Sequence, residues 1–213
     1  PSGVVYINGK RIKQVGRVPD TIDVSDALKP GSENLIAVKV NPFEVEEVRH
    51  HMSTDKWSSW FAGLMELELT EASYIKDVFA YTTEIDDPAS VKLQVSAASE
   101  NDSGFSGKLV TEFYPWYPEE SNQMAAQSTT TIQMEQGQAK TIEQNVTVKD
   151  PMLWTTRSPG LYKVRVELQD ESGNAVDDYV LTTGIRTVSQ KGGTFRINGE
   201  PEVLFGPLIF NQP

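Results

Sequence analysis

An all-β fold is predicted from three features of this sequence. Runs that alternate apolar and polar residues recur at roughly the 8–12-residue spacing of short antiparallel strands, and no stretch carries a helical period. Two Asn-Gly dipeptides, Asn8-Gly9 and Asn198-Gly199, sit between β-prone runs, which is the strongest short hairpin signal because a type I′ turn needs positive φ at both central residues. Only 38% of the 213 residues are apolar, and Ser, Thr, Asn and Gln are plentiful. That composition suits antiparallel sheets with one wet face. The length allows one or two domains and a core that needs no staples.

The elements follow in order. Val-Val-Tyr-Ile, the Asn8-Gly9 turn and Lys-Arg-Ile-Lys-Gln-Val make a first hairpin. A polar turn follows, with one helical turn expected near residues 25–28, and then a β-prone strand over 34–40. Residues 41–61 break all periodicity and read as a long loop, a kind of segment that in compact domains tends to be functional or disordered. They hold His50, His51, Glu44, Glu46, Glu47, Asp55, Trp57, Trp60 and Phe61. The alternation of residues 63–70 predicts a strand that closes this first unit, residues 1–70.

A second unit spans 71–188. Strands are predicted over 74–84, 90–98, 107–114, 126–135, 140–148, 161–169 and 175–185. Turn residues separate them: Asp87-Pro88, the Asn101 to Gly104 cluster, Gly137, Asp150-Pro151 and Gly173-Asn174. Seven strands at this spacing are the sequence form of an immunoglobulin-like sandwich. After Ser189 a polar Gln-Lys-Gly-Gly linker leads to the second Asn-Gly hairpin within 189–213.

With 30 acidic against 19 basic residues, the net charge is −11. A surface of that sign repels phosphates, so neither nucleic acid nor an anionic membrane is an expected partner. The absence of cysteine removes disulfides, thiolate metal sites and cysteine nucleophiles together. No apolar run is long enough to span a bilayer. The chain opens at Pro1 rather than Met, from which a processed or truncated start is expected. A bacterial, periplasmic or secreted protein is expected rather than a cytoplasmic one.

Four segments, collinear and sensibly spaced, together resemble the family 2 glycoside hydrolases, the β-galactosidase, β-glucuronidase and β-mannosidase group. They are Tyr6-Ile-Asn-Gly-Lys with the stretch from Asp23 to Val40; Trp60-Phe-Ala-Gly-Leu-Met-Glu-Leu-Glu-Leu; Asp150-Pro-Met-Leu-Trp through Ser158-Pro-Gly-Leu-Tyr to Gly184-Ile-Arg; and Phe195-Arg-Ile-Asn-Gly-Glu-Pro-Glu-Val-Leu-Phe-Gly. The resemblance covers nearly the whole chain. It implies that residues 1–70 are the later half of a sugar-binding jelly roll, 71–188 the central immunoglobulin-like domain, and 189–213 a linker and the start of a (β/α)8 barrel. It also implies a retaining parent enzyme with two catalytic Glu residues at barrel strand ends. No Glu here matches either of them, so no catalytic residue, cofactor or metal is expected.

Candidate sites follow the aromatics. Trp57, Trp60, Phe61 and Trp116 are candidate carbohydrate contacts, because aromatic faces bury large area against sugar C–H surfaces. The competing reading, that Trp60 and Phe61 plug a seam and that Tyr114-Pro-Trp-Tyr-Pro closes one end of the sandwich, is preferred. Trp154, Leu161 and Tyr162 are expected in the core, with the tyrosine hydroxyl on a backbone group. Arg186 is expected to pair with an acid at the domain junction. Glu66 and Glu68, alternating on the predicted strand, read as its solvated face. Glu119 and Glu120 read as loop charges. His50 and His51, adjacent on an extended chain, point to opposite sides and do not suggest a metal site. Asn145-Val-Thr and Asn101-Asp-Ser match the glycosylation pattern without further support.

The expected function is the non-catalytic, sugar-binding and spacer region of such an enzyme. Its partners are carbohydrate and, through open sheet edges near residues 1–15, a second copy of the chain. Two alternatives are a stand-alone carbohydrate-binding module and a structural or adhesive protein built from complete sandwiches.

Overall fold

The structure, a computed structural model, describes residues 2–16, 20–41 and 65–206. These divide into two compact units, one ending at Leu67 and one beginning at Glu68. Both histidines, Trp57, Trp60 and Phe61 lie outside the described residues.

Among the described residues the first unit forms an antiparallel sheet of three strands, β1 (Ser2–Ile7), β2 (Lys10–Val15) and β3 (Ile36–Asn41), in the order β2-β1-β3. Asn8 at φ 52° and Gly9 at φ 82° make the expected I′ turn, and Ile7 faces Lys10 across it. A single 3-10 turn, Ser25–Ala27, stands where one helical turn is expected, and Asp23 takes the Ser25 N–H at 2.9 Å. Among the described residues the outer strands of this sheet are β2 and β3. Of the stretch 1–15 where an open edge is expected, β2 is an outer strand and β1 is paired on both sides, because β3 returns to lie along it.

The strand expected over 63–70 is not formed in its described part. Residues 65–70 carry no ladder, and Met65, Leu67 and Leu69 are exposed, Leu69 by 77%. Alternation stabilises a strand only where an edge is available and one face is covered. Among the described residues this segment has neither.

The second unit is a sandwich. One sheet is β4 (Ser73–Glu84), β5 (Ala89–Ser99) and β8 (Gln138–Val148), in the order β4-β5-β8. The other contains β6 (Phe105–Tyr117), β7 (Ala126–Met134), β9 (Leu161–Asp170) and β10 (Ala175–Thr183), in the order β10-β9-β6-β7. All pairings are antiparallel. Alternate residues of both sheets meet in one core, including Val91, Leu93, Val95 and Ala97 from β5, Leu109 and Phe113 from β6, and Val164, Val166 and Leu168 from β9. Tyr162 is buried against Phe113, with ring centroids 6.1 Å apart, and its hydroxyl accepts the Met152 N–H at 2.8 Å, as expected.

Two polar devices tie the sheets together. Gln144 of β8 is 2% exposed; it accepts the Thr111 hydroxyl at 2.5 Å and donates to the Leu109 carbonyl at 2.9 Å and Thr130 Oγ1 at 3.1 Å. A buried amide so satisfied fixes the register of one sheet over the other. At the edge, Asp177 beside a bulge in β10 takes the Ile75 N–H of β4 at 2.7 Å.

Beyond the sandwich, β11 (Val188–Lys191), β12 (Thr194–Ile197) and β13 (Glu200–Pro201) form a small sheet in that order. The segment expected to be a linker thus opens with a strand and a hairpin. Gly192 at φ 59° and Gly193 at φ 77° supply the turn that joins β11 to β12. Trp154 is only half-buried and lies outside the core cluster, against expectation. Its side chain presses on the backbone of Gly184, where a Cβ would stand 2.7 Å from the Trp154 Cβ. Arg186 lays its guanidinium over that indole, 4.8 Å from the ring centre, and donates to the Gly184 carbonyl at 3.3 Å. Among the described residues it stacks and pairs with no acid.

Candidate functional site

The outer face of the four-stranded sheet carries the candidate site. Along β6 the inward positions Leu109, Thr111 and Phe113 are buried, so Glu112 and Tyr114 point outward. The ladder to β9 then slips: Pro115 faces Tyr162 and Tyr117 faces Leu161, leaving Trp116 as the extra residue of a bulge. Bulges re-aim side chains, and Trp116 stands 37% exposed at the end of this face.

Pro115 does not end the strand, as the sequence suggests, but lies within it. Pairing with β7 ends at Phe113 opposite Ala126, and the carbonyls of Phe113 and Pro115 accept on that side from Ala125 and Ser121. The missing proline N–H therefore faces a ladder position that β7 no longer occupies.

Cross-strand register brings β9 and β10 to the same face. Lys163 lies opposite Tyr114, Arg165 opposite Glu112, and Val180 opposite Arg165. The Lys163 ammonium is 3.7 Å from the Trp116 ring centre and 2.8 Å from Glu120 Oε1, on the loop after β6. Glu112 accepts from the Tyr114 hydroxyl at 3.0 Å and from Gln127 at 3.4 Å. Arg165 pairs with Glu167 and sits 3.7 Å from Asp178. Burial, and then the bond to Glu112, raise the Tyr114 hydroxyl above its ordinary pKa, so it stays a donor at neutral pH. Between Trp116 and Arg165 runs an open groove of roughly 360 Å³, also lined by Glu112, Tyr114, Glu120 and Lys163.

Of the candidate aromatics, only Trp116 falls among the described residues. Its neighbour Tyr117 is also exposed, so this pair does not pack as the sequence suggests, whereas Tyr114 and Pro115 are half-buried. Glu66 and Glu68 are exposed on an unpaired segment, and Glu120 is bound to Lys163. Asn101 accepts from the Ser103 N–H and hydroxyl in a tight turn, and Asn145 faces outward on β8. Among the described residues no group of His, Asp or Glu is arranged to hold a metal, and no helix is long and apolar enough to cross a membrane. Lys163, Arg165 and Glu112 are absent from the sequence candidates. Their only sequence signal is that they occupy outward positions of two alternating strands, and which of them meet depends on register.

Residues 73–186, the sandwich, match the family model described as Glycosyl hydrolases family 2. A β-galactosidase of Thermoanaerobacter pseudethanolicus is 30% identical over 210 residues, covering 95% of this chain and 27% of that protein. A β-glucuronidase of Formosa agariphila is 27% identical over 223 residues, covering 95% and 22%. Among solved structures, a β-glucuronidase from glycoside hydrolase family 2 aligns with TM-score 0.75 at 24% identity, over 93% of this chain and 22% of that one. A family 2 member from Bacteroides cellulosilyticus aligns with TM-score 0.76 at 20% identity, over 94% and 27%. At those identities the two structures speak for the fold alone. The chain thus spans about a quarter of the length of the relatives it matches.

Proposed function

Because this chain belongs to glycosyl hydrolases family 2, we propose that it is the non-catalytic, sugar-binding and spacer region of an enzyme that hydrolyses β-glycosidic bonds. The observation that carries this reading is the pattern of coverage. Nearly all of this chain aligns with about a quarter of the β-galactosidase and of the β-glucuronidase, and the family match falls on the sandwich. In the same proposal, residues 1–70 are the later half of a sugar-binding jelly roll, 71–188 the immunoglobulin-like domain, and 189–213 the approach to a catalytic barrel. Among the described residues there is no closed barrel.

The test is turnover. The purified chain, incubated with chromogenic β-galactoside and β-glucuronide, is expected to release no product above a buffer control. Product release that co-elutes with the chain through two orthogonal columns would refute the reading.

Two finer points belong to the proposal. Among the described residues the outer edges of β2 and β3 have no strand paired to them, which supports self-association through strand pairing. Light scattering is expected to find dimers, and a monodisperse monomer at high concentration would count against them. The stand-alone binding module is the second reading, and the exposed Trp116 beside the groove favours it. It shares the first reading's sugar contact and differs only in what else the mature protein carries.

A further inference from the structure

We infer that the groove on the outer face of the four-stranded sheet binds an uncharged pyranoside and discriminates against a uronate. The inference rests on the reading that this chain is part of a sugar-handling protein, and it adds a place and a ligand class that family membership does not supply.

The floor is aromatic and fixed. The bulge turns Trp116 outward, and Lys163 stands over the indole at 3.7 Å, itself held by Glu120 at 2.8 Å. The ring lines the groove and is 37% exposed, with Lys163 over part of its surface. Little side-chain entropy remains to be lost when a sugar C–H face covers it.

The walls are polar and already ordered. Tyr114 and Gln127 hold Glu112 from two sides, and Glu167 holds Arg165. None of these groups is saturated. A carboxylate has about four lone-pair sites, an ammonium three N–H and a guanidinium five, so each retains capacity for a ligand hydroxyl. Donors and acceptors thus flank one aromatic surface, and a polyol, whose every hydroxyl both donates and accepts, matches that mixture. A groove of roughly 360 Å³ lies at the small end of the range for ligand sites and suits one or two sugar rings.

Charge decides the class of sugar. The groove lining carries two cations, Lys163 and Arg165, and two acids, Glu112 and Glu120, so its formal charges balance. Both cations already have carboxylate partners, Glu120 for Lys163 and Glu167 for Arg165. A ligand carboxylate entering here would gain no uncompensated cation and would be repelled by the neighbouring Glu112 and Glu120. A neutral ring meets neither obstacle.

The chain as it stands tests this by titration calorimetry with methyl β-galactopyranoside, lactose and methyl β-glucuronide. Binding of a neutral glycoside in the millimolar range is expected, with the glucuronide at least about tenfold weaker. Trp116→Ala, an exposed position, is expected to weaken neutral binding by about tenfold or more with an unchanged circular dichroism spectrum. Glu120→Lys is expected to narrow the preference against glucuronide. No heat from any of the sugars, or glucuronide bound as tightly as the neutral glycosides, would overturn the inference. Wild-type affinity in Trp116→Ala would also overturn it, and would place the saccharide elsewhere on the chain. That last outcome leaves the proposed function standing, since the turnover assay alone judges it.

Discussion

Two asparagines do more than their turn positions require. Asn8 and Asn198 each occupy the first central position of an I′ turn, at φ 52°, where asparagine is tolerated better than most residues. Each also binds one residue of an adjacent segment twice. The Asn8 N–H donates to the Leu35 carbonyl while its Oδ1 takes the Leu35 N–H; Asn198 does the same with Thr187. The spare amide N–H then reaches a third segment, the Ala27 carbonyl in one case and the Trp154 carbonyl in the other. Asn198→Gly keeps the backbone conformation and removes only these side-chain bonds. Faster hydrogen exchange is expected across residues 188–201, with little change in the melting of the sandwich. Unchanged protection there would show that the side chain is dispensable.

The buried amide makes a sharper stability claim. Gln144→Leu leaves the Thr111 hydroxyl and the Leu109 carbonyl without their partner in the core, at a cost of about 2 kcal/mol. Denaturant unfolding measures this directly. Thr111→Val combined with Gln144→Leu is expected to cost less than the sum of the two, because each single change strands the other group.

Carboxylates set the acid limit of stability. The Asn174 side chain, and then its backbone N–H, hold Asp170 below its ordinary 3.8; hydrogen bonds from Lys92 and then Gln94 hold Glu143 below 4.5. A group whose pKa is depressed by folding contributes stability above its unfolded value and loses it as pH falls through the folded one. Melting temperature is therefore expected to be level above about pH 5 and to fall below about pH 4, with a shallower fall in Asp170→Asn. An identical acid limb in that variant would remove Asp170 from the account.

Among the elements, the sandwich was the most legible part of the sequence. Its strands alternate against a core that covers one face of each sheet, so period and burial agree, and the observed strands fall close to the predicted ranges. The same logic fails where no core covers the pattern. Residues 65–70 alternate as cleanly as β8 yet form no strand, because alternation encodes a face and supplies no partner. The opposite failure occurs at β11, whose end Gln190-Lys191 begins the Gln-Lys-Gly-Gly stretch that reads as a polar linker. Its pairing comes from the Gly192-Gly193 turn and the ladder to β12, so the glycines mark a hairpin and not a flexible joint.

The site was half legible for a related reason. Trp116 could be chosen from its residue type alone. The charges around it meet only through cross-strand register: Tyr114 opposite Lys163, Glu112 opposite Arg165. Nothing in a linear reading aligns residues some fifty positions apart. Arg186 shows the same limit, since a guanidinium serves an indole as readily as an acid, and the half-buried Trp154 is placed beside it by the bridge between Leu153 and Ile185.

For the molecule as a whole, the described residues offer sheets, edges and one polar groove, and the account assigns them support and sugar contact without bond cleavage. A retaining glycosidase must pass through a covalent glycosyl intermediate on a carboxylate. Its presence or absence on this chain is therefore more decisive than any rate. The direct measurement is intact mass spectrometry of the chain after exposure to 2-deoxy-2-fluoro β-galactosyl and β-glucuronyl inactivators. The account predicts an unmodified mass at every time point, and a stoichiometric glycosyl adduct on any Glu or Asp would contradict it.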